Sequence, residues 1–570
     1  MRPILPLLLL GVFASFLTAQ TNYFVDPTLG SDANDGLTGG TAFQSLTHAL
    51  SVAVAGDHVE LLTGTYEEKV GSNETFPIQL KDQVDVEAGV VQVPVFMPPA
   101  GSVAFQIPGT GIIAATLLSG VKVTGGTVGF EIPSGAPVNG LTVEDSLFET
   151  FSSAGVDALL DSGGAAFTLR NCVFNGGAGA LNGVRLRVQD GASLNGGSVE
   201  DCQISGVAQG INVEAANGGT VSASFFLLRN TLDAYSQHGI LVSATAGPMG
   251  PTTNTCIVQG NQATGSGGNE DGLRVEVHAA GASVPAVACN GAVGYNNFTG
   301  NRRNAVFWTD NDGAHQADIT CVVLGNQFLD ATDWGVLVDQ DMPATLKPNN
   351  SPDLGDLTKG SDRGRNTFRG SANFDLVLNG VDDHVLSVER NFWDQTSLGA
   401  ILARIRLQPE PPEPPEPPSL NPLVTTFLVT NGTARTTARS ISPRKSVKVK
   451  VLAGPQFAFL DNPDSQASTG RIDVKVGTTK VAAAVAANGT ALTFTSPSLP
   501  KGNAVVTITL PGGANAQALL RVVAPPKPSG GGCGGLATSG GGGVPPDGGD
   551  ALSLLLGAGV WFGLRRRRRS

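Results

Sequence analysis

The 570-residue chain reads as an all-β protein, a parallel β-solenoid followed by a small β-sandwich. Three observations predict this. First, an Asn or Asp, a polar turn and a Gly with an aliphatic run recur through the middle of the chain. Second, the aliphatic runs are short and bounded by Gly, Asn and Asp, which is the pattern of strands and not of helices. Third, the composition combines 75 Gly and 35 Pro with 41% hydrophobic and only 15% charged residues, where soluble domains average roughly 25% charged. Disordered chains are polar and charged. This one can bury a sizeable core, provided that the core is rich in turns.

Element by element, the chain begins with Arg2 and an apolar run from Ile4 to Leu17, ending in Leu17-Thr18-Ala19. A short basic start, an apolar stretch and a small residue at the end predict a secretory signal (residues 1–19) cleaved after Ala19. Export follows as the expectation.

The middle is repetitive. Asp145-Ser146-Leu147-Phe148 is followed by Gly155-Val156, and Asn171-Cys172-Val173-Phe174 by Gly183-Val184. Asp201-Cys202-Gln203-Ile204 precedes Gly210-Ile211, and Asn230-Thr231-Leu232 precedes Gly239-Ile240. Later copies start at Asn261, Asn297, Asn326, Asn366 and Asn391, so successive positions lie 25 to 40 residues apart. A strand-turn unit of this size cannot bury its apolar face alone, but stacked copies share one continuous core. Parallel coils follow, each about 4.8 Å above the last, so that some ten coils make a rod of roughly 50 Å. Asn and Asp suit the left-handed backbone of the turns and can bond to their neighbours above and below.

These repeats resemble those of the pectate-lyase-like proteins, which implies a right-handed parallel β-helix over residues 20–407. The start of the mature chain is similar to the N-terminal cap of secreted bacterial β-helix proteins. It runs through Tyr23-Phe24-Val25-Asp26-Pro27, Asp35-Gly36-Leu37-Thr38, Phe43-Gln44-Ser45-Leu46 and Gly64-Thr65-Tyr66. The resemblance implies a strand, a turn and a short capping helix near 42–54. Glu74-Thr75-Phe76-Pro77-Ile78-Gln79-Leu80 is similar to the DUF1565 branch of that group. Asn391-Phe392-Trp393, before an apolar stretch at 401–407, looks like the last coil and its cap. An open solenoid end is an edge that invites aggregation, which is the physical reason for a cap.

Residues 408–419 contain QPEPPEPPEPP, a stiff spacer with repelling charges. Alternating stretches follow at 446–452, 472–476, 492–495 and 504–510, with turns at Asn488-Gly489 and Pro511-Gly512-Gly513. They predict a small β-sandwich over 420–524, similar to IPT/TIG-type immunoglobulin-like domains. A Gly-rich tether (525–550) with Gly532-Cys533-Gly534 leads to an apolar segment at 551–564 and five Arg at 565–569. Fourteen apolar residues are short of the roughly 20 that span a bilayer, and the Arg cluster would stay cytoplasmic. This layout resembles the bacterial GlyGly-CTERM and MYXO-CTERM sorting tails. The resemblance implies that Cys533 is a processing or lipidation point and that the tail contacts the membrane before processing. Without Arg2 and the terminal Arg cluster, 30 basic residues face 48 acidic ones, so the net charge of −12 becomes −18.

That acidity argues against nucleic acid, whose binding depends on Lys and Arg neutralising phosphates. Cys172 and Cys202 should stack in adjacent coils, close enough for a disulfide or as an inward-facing thiol pair. Cys256 and Cys321 have a coil between them and cannot bond. Five solenoid Cys leave at least one unpaired, and no spacing makes a zinc motif. Candidate acidic groups are Asp339-Gln340-Asp341, Asp382-Asp383-His384, and Arg302-Arg303 near Asp310 and Asp312. His238 sits in a turn. Asp26, Asp32, Asn34 and Asp35 resemble a Ca2+ loop but lack the EF-hand order and its closing Glu. No cofactor is expected, with Ca2+ at that loop the one candidate.

The reading is an exported protein of the bacterial envelope, a surface binding or structural module whose partner is a polysaccharide or cell-surface glycan. The alternative is a polysaccharide lyase or hydrolase acting on uronate-containing glycans along the solenoid groove. A third is a passive stalk. No catalytic residue is assigned.

Overall fold

A computed structural model describes residues 20–408, apart from short stretches of loop, and a set of strands between 435 and 522. Ala19, Cys533, the Asp382-Asp383-His384 group, Asp312, the Pro/Glu linker and the C-terminal tail lie outside the described residues. Among the described residues no helix is long and apolar enough to cross a membrane.

Residues 22–408 form a right-handed parallel β-helix with three long sheets. Each coil contributes one strand to each sheet in turn, as Asn139–Glu144, Leu147–Glu149 and Ala154–Leu160 do for the first, second and third sheets. Their counterparts one coil on are Ala166–Arg170, Val173–Asn175 and Asn182–Val188. All pairings in the solenoid are parallel, and along the third sheet the register is kept from coil to coil, with Val156 opposite Val184 and Val184 opposite Ile211. The second and third sheets each have twelve strands among the described residues. The repeat signature begins only at residue 145 because earlier corners use other residues. Gly120, with φ 74°, takes the left-handed turn there, and the buried Val121 follows it.

One continuous core runs from Val25 to Ile405. On the inner face of the second sheet aromatic rings stack at coil spacing: Phe148 on Phe174 at 5.1 Å, Phe298 on Phe328 at 5.8 Å, Phe368 on Trp393 at 4.5 Å. Where the column narrows to Ala263, the buried ring of Tyr235 fills the space.

The corner between the first and second sheets holds two columns, which sequence spacing had merged into one. Asp145, Asn171 and Asp201 take the left-handed turn (φ 52°, 53° and 54°), and in later coils Arg229, Gly260, Tyr295, Gly325 and Arg365 occupy that place. The next residue points inward. It is Ser146, Cys172 and Cys202 in the early coils, then Asn230, Asn261, Asn296, Asn326, Asn366 and Asn391, all buried. The repeat residue near 297 is therefore Asn296, since Asn297 begins a strand of the second sheet, Asn297–Thr299. The inward Asn side chains form a ladder in which Asn261 Oδ1 accepts from Asn230 N and Nδ2, both at 2.9 Å. At its upper end, Cys202 N donates to Asn230 Oδ1 at 3.0 Å. Cys172 and Cys202 hold the same inward column as free thiols, and Cys256, Cys289 and Cys321 are likewise free and buried. Burial pushes the thiol pKa of Cys321 up to about 12, so it stays protonated.

The recurrent Gly has a packing reason. A Cβ at Gly155 would lie 2.4 Å from the Phe174 ring and 2.7 Å from the Gly183 carbonyl oxygen of the next coil. The expected capping helix spans Leu46–Val52 and turns Leu46, Ala49 and Leu50 into the core. Ser45 Oγ accepts from His48 N at its start. Glu74, in the DUF1565-like segment, reaches back to accept from Leu46 N and Thr47 Oγ1 at 2.5 and 2.8 Å. At the other end a short helix, Leu398–Leu402, precedes the last strand of the third sheet, Ile405–Gln408.

Further along, two antiparallel four-stranded sheets are described. One includes Lys448–Leu452 and Ala491–Thr495, the other Asp473–Val476, Gly502–Thr509 and Asn515–Val522.

Candidate binding groove on the third sheet

Sequence-based candidates are mostly spent on the fold. Asp26 Oδ1 accepts from Thr28 N and Leu29 N, and Asp32 from Gln44 N, Ser45 N and Ser45 Oγ. Asn34 donates to the Ala42 carbonyl, and Asp35 accepts from Leu37 N and Thr41 Oγ1. The four side chains tie down the cap's own turns instead of converging. Among the described residues no three His, Cys, Asp or Glu side chains gather as metal ligands. Arg302, Arg303 and Asp310 are not one site: Arg303 and Asp310 stand at opposite ends of the strand Arg303–Asp310, and Arg302 reaches Asp333 at 3.5 Å. Asp339 accepts from Asn379 Nδ2 at 2.6 Å, while the neighbouring Gln340 is buried.

Chemistry-bearing groups instead collect on the outer face of the third sheet, over four successive strands: Asn182–Val188, Gln209–Ala216, His238–Thr245 and Asp271–His278. A groove of about 400 Å³ lies there, lined among others by Asn182, Arg185, Gln209, Asn212, Glu214 and Glu276. In-register pairing sets these residues side by side: Arg185 opposite Asn212, and Glu214 opposite Ser243, which in turn faces Glu276. Asn212 Nδ2 donates to Gln209 Oε1 at 2.9 Å and to Glu214 Oε1 at 2.5 Å. Asn182 and Asn212 are 4% and 3% exposed, and the Oδ1 atom of each has no hydrogen-bond partner.

An ionic network borders the groove. Arg185 clasps Asp157 through Nε and Nη2 at 3.0 and 2.5 Å, and Arg187 Nη2 reaches the same carboxylate at 3.1 Å. Asp271, 0% exposed, holds Arg303 at 2.6 and 2.9 Å. Arg274 Nη1 lies 3.5 Å from Asp271. His238 Nδ1 lies 3.3 Å from Asp271 Oδ2 but off the line of a good hydrogen bond. Burial pushes the Asp271 carboxyl up, but His238 and Arg303 outweigh it and hold it below its ordinary 3.8. Glu276 accepts from Arg274 Nε at 2.5 Å and faces His278 Nε2 at 3.4 Å. Burial again opposes ionisation there, yet the bonds from His278 and Arg274 prevail and bring Glu276 down to about 2. The bond to Glu276, with Asp310 behind it, raises His278 above 6.5.

Past the network, Trp308 lies under Arg274 (5.0 Å) and edge-on to His278 (4.7 Å). Trp308, Trp334 and Phe374 cover Val306, Leu337 and Val377, a small apolar cluster on the outside of the solenoid. Of the whole array only His238, Arg303 and Asp310 were marked in the sequence. The strands that carry the others are about one coil apart in the chain, and no local motif joins them. The one signal was the coil register itself.

The fold and groove define a class: a capped parallel β-helix bearing a polar cleft on one sheet. Residues 28–397 match the family described as "Protein of unknown function (DUF1565)", and the chain belongs to that family. No curated protein matches it significantly. Among solved structures the fold is similar to a rhamnogalacturonan lyase, at 15% identity and a TM-score of 0.31, covering 68% of this chain and 87% of that one. It is also similar to XylC in complex with xylose, at 10% identity and a TM-score of 0.35, covering 84% and 98%. A third is the pectate lyase Pel9A, at 13% identity and a TM-score of 0.25, covering 65% and 74%.

Proposed function

We propose that the protein is an exported, envelope-associated glycan-binding module that uses the groove on the outer face of the third sheet. The carrying observation is that Asn182 and Asn212, whose Oδ1 atoms are buried and without a hydrogen-bond partner, line a cleft of about 400 Å³. A buried polar atom without a partner costs roughly 1–3 kcal/mol, a cost that a ligand's hydroxyl groups would remove. Export and envelope retention rest on the first nineteen residues and on the Cys533 tail. Ca2+ has no assigned part in binding.

Catalysis is the second reading, because Glu214 and Glu276 share a column two strands apart. At about 4.8 Å per strand, that spacing is near the upper limit for paired carboxylates of inverting glycosidases. A general acid must carry a proton near neutral pH, so Glu276, held at about 2, could serve only as the base, and among the described residues nothing in the groove marks a partner held as the acid. Binding is the better-supported reading. The purified mature chain should retain glycans on an array and release neither reducing sugar nor unsaturated uronate from them. Turnover abolished by Glu276→Gln would reverse that order.

A further inference from the structure

We propose that the groove selects uncharged, polyhydroxylated glycan segments, neutral hexose or pentose chains, and excludes uronates and sulfated sugars. The proposal deepens the glycan-binding reading and rests on it. Three features of the groove carry it.

The first is the kind of group left wanting. Asn212 Nδ2 is fixed by two acceptors, Gln209 Oε1 and Glu214 Oε1, so turning the amide over would set oxygen against oxygen. Its Oδ1 is therefore the open atom, an acceptor, as is Asn182 Oδ1. Ionised carboxylates and sulfates only accept, so these groups cannot satisfy the two oxygens, and only a sugar's hydroxyls can. A hydroxyl donates and accepts. It can therefore meet both Asn oxygens.

The second is that the positive charge is already used. Arg185 and Arg187 share Asp157, Arg303 clasps Asp271, and Arg274 bonds Glu276. An anionic sugar would have to draw one of these guanidiniums away from a partly buried carboxylate. Taking one guanidinium away removes part of the pairing that offsets the burial of that carboxylate, which opposes the exchange. The third is that Glu214 and Glu276 line the groove themselves and repel an approaching anion.

Titration calorimetry of the full mature chain with cellohexaose, xylohexaose and mannohexaose, against hexagalacturonate, tests this. At least one neutral hexamer is expected to bind with an affinity insensitive to salt, and hexagalacturonate is expected not to bind. Asn212→Leu, close in volume, should weaken the neutral ligand about tenfold, the value of one lost hydrogen bond of roughly 1.4 kcal/mol. Gln209→Ala, at the more exposed rim, is the companion variant should Asn212→Leu fold poorly, and it too should weaken binding. Tighter, salt-sensitive binding of hexagalacturonate would overturn the neutral class while leaving glycan binding intact. Neutral binding unchanged in both variants would overturn the assignment to this groove. No binding of any hexamer or array glycan would overturn the glycan-binding reading, and this proposal with it.

Discussion

Asn261 shows how a single side chain holds neighbouring coils in register. Its Oδ1 accepts from Asn230 N and Nδ2, and its Nδ2 donates to the Leu227 carbonyl at 2.8 Å and to Asn296 Oδ1 at 3.0 Å. Alanine there would leave the buried Asn230 N without its acceptor and take one donor each from the Leu227 carbonyl and Asn296 Oδ1, so Asn261→Ala should cost about 1–3 kcal/mol in urea unfolding. Asn261→Asp should be worse at neutral pH, because the new oxygen would face the Leu227 carbonyl and Asn296 Oδ1 with no proton to offer. The deficit should shrink as pH falls, since protonation restores a donor. An aspartate variant as stable as the native chain at pH 7 would mean that the ladder does not carry the corner. The Asn column was legible from sequence as a recurrent residue. Its division into a turn residue and an inward residue was not, because Asp145 and Asn230 look alike in a linear repeat although they occupy adjacent positions of the coil.

At the scale of the element, the third sheet carries its polar groups in columns, and neighbouring charges tune one another across the strand Asp271–His278. Glu276 is held at about 2 against an ordinary 4.5, a difference worth on the order of 3 kcal/mol by linkage. That stability is present above pH 4.5 and is lost as pH falls towards about 2. His278 is raised above 6.5, so its part is complete below 6.5 and is lost as pH rises through the raised value. The two share the Glu276–His278 contact, whose stabilisation is greatest between about pH 4.5 and 6.5. Glu276→Gln should flatten both limbs of a stability-versus-pH curve; an unchanged curve would show that the pair adds nothing. None of this could be read along the chain. Glu276 and His278 look like the solvated residues of an alternating strand, and Arg303, Asp310 and Trp308, which complete the network, arrive from the next coil.

For the whole molecule, stability is distributed along a stack in which each coil contacts only its neighbours, so the ends matter most. The strand Asn22–Val25 pairs with His58–Leu61, and the cap helix Leu46–Val52 joins the end of the core. Removing residues 20–54 would uncover the edge of the first sheet at His58–Leu61. The truncated chain should keep β-sheet circular dichroism but self-associate in size-exclusion chromatography. A monodisperse truncated monomer would show that the cap does not protect the edge.

That this chain coils is written in its order of residues: short apolar runs, turn residues and a period near thirty leave parallel stacking as the way to bury the core. Tertiary structure alone decided which residues meet on the surface. In a solenoid, lateral neighbours are a full coil apart in sequence, so the groove's Asn182, Asn212, Glu214 and Glu276 become a site only when register is fixed. Register, in turn, is fixed by close contacts, such as the Gly155 approach to Gly183 and the Asn ladder at the corner, whose residues the linear repeat marks but whose exact pairing it does not.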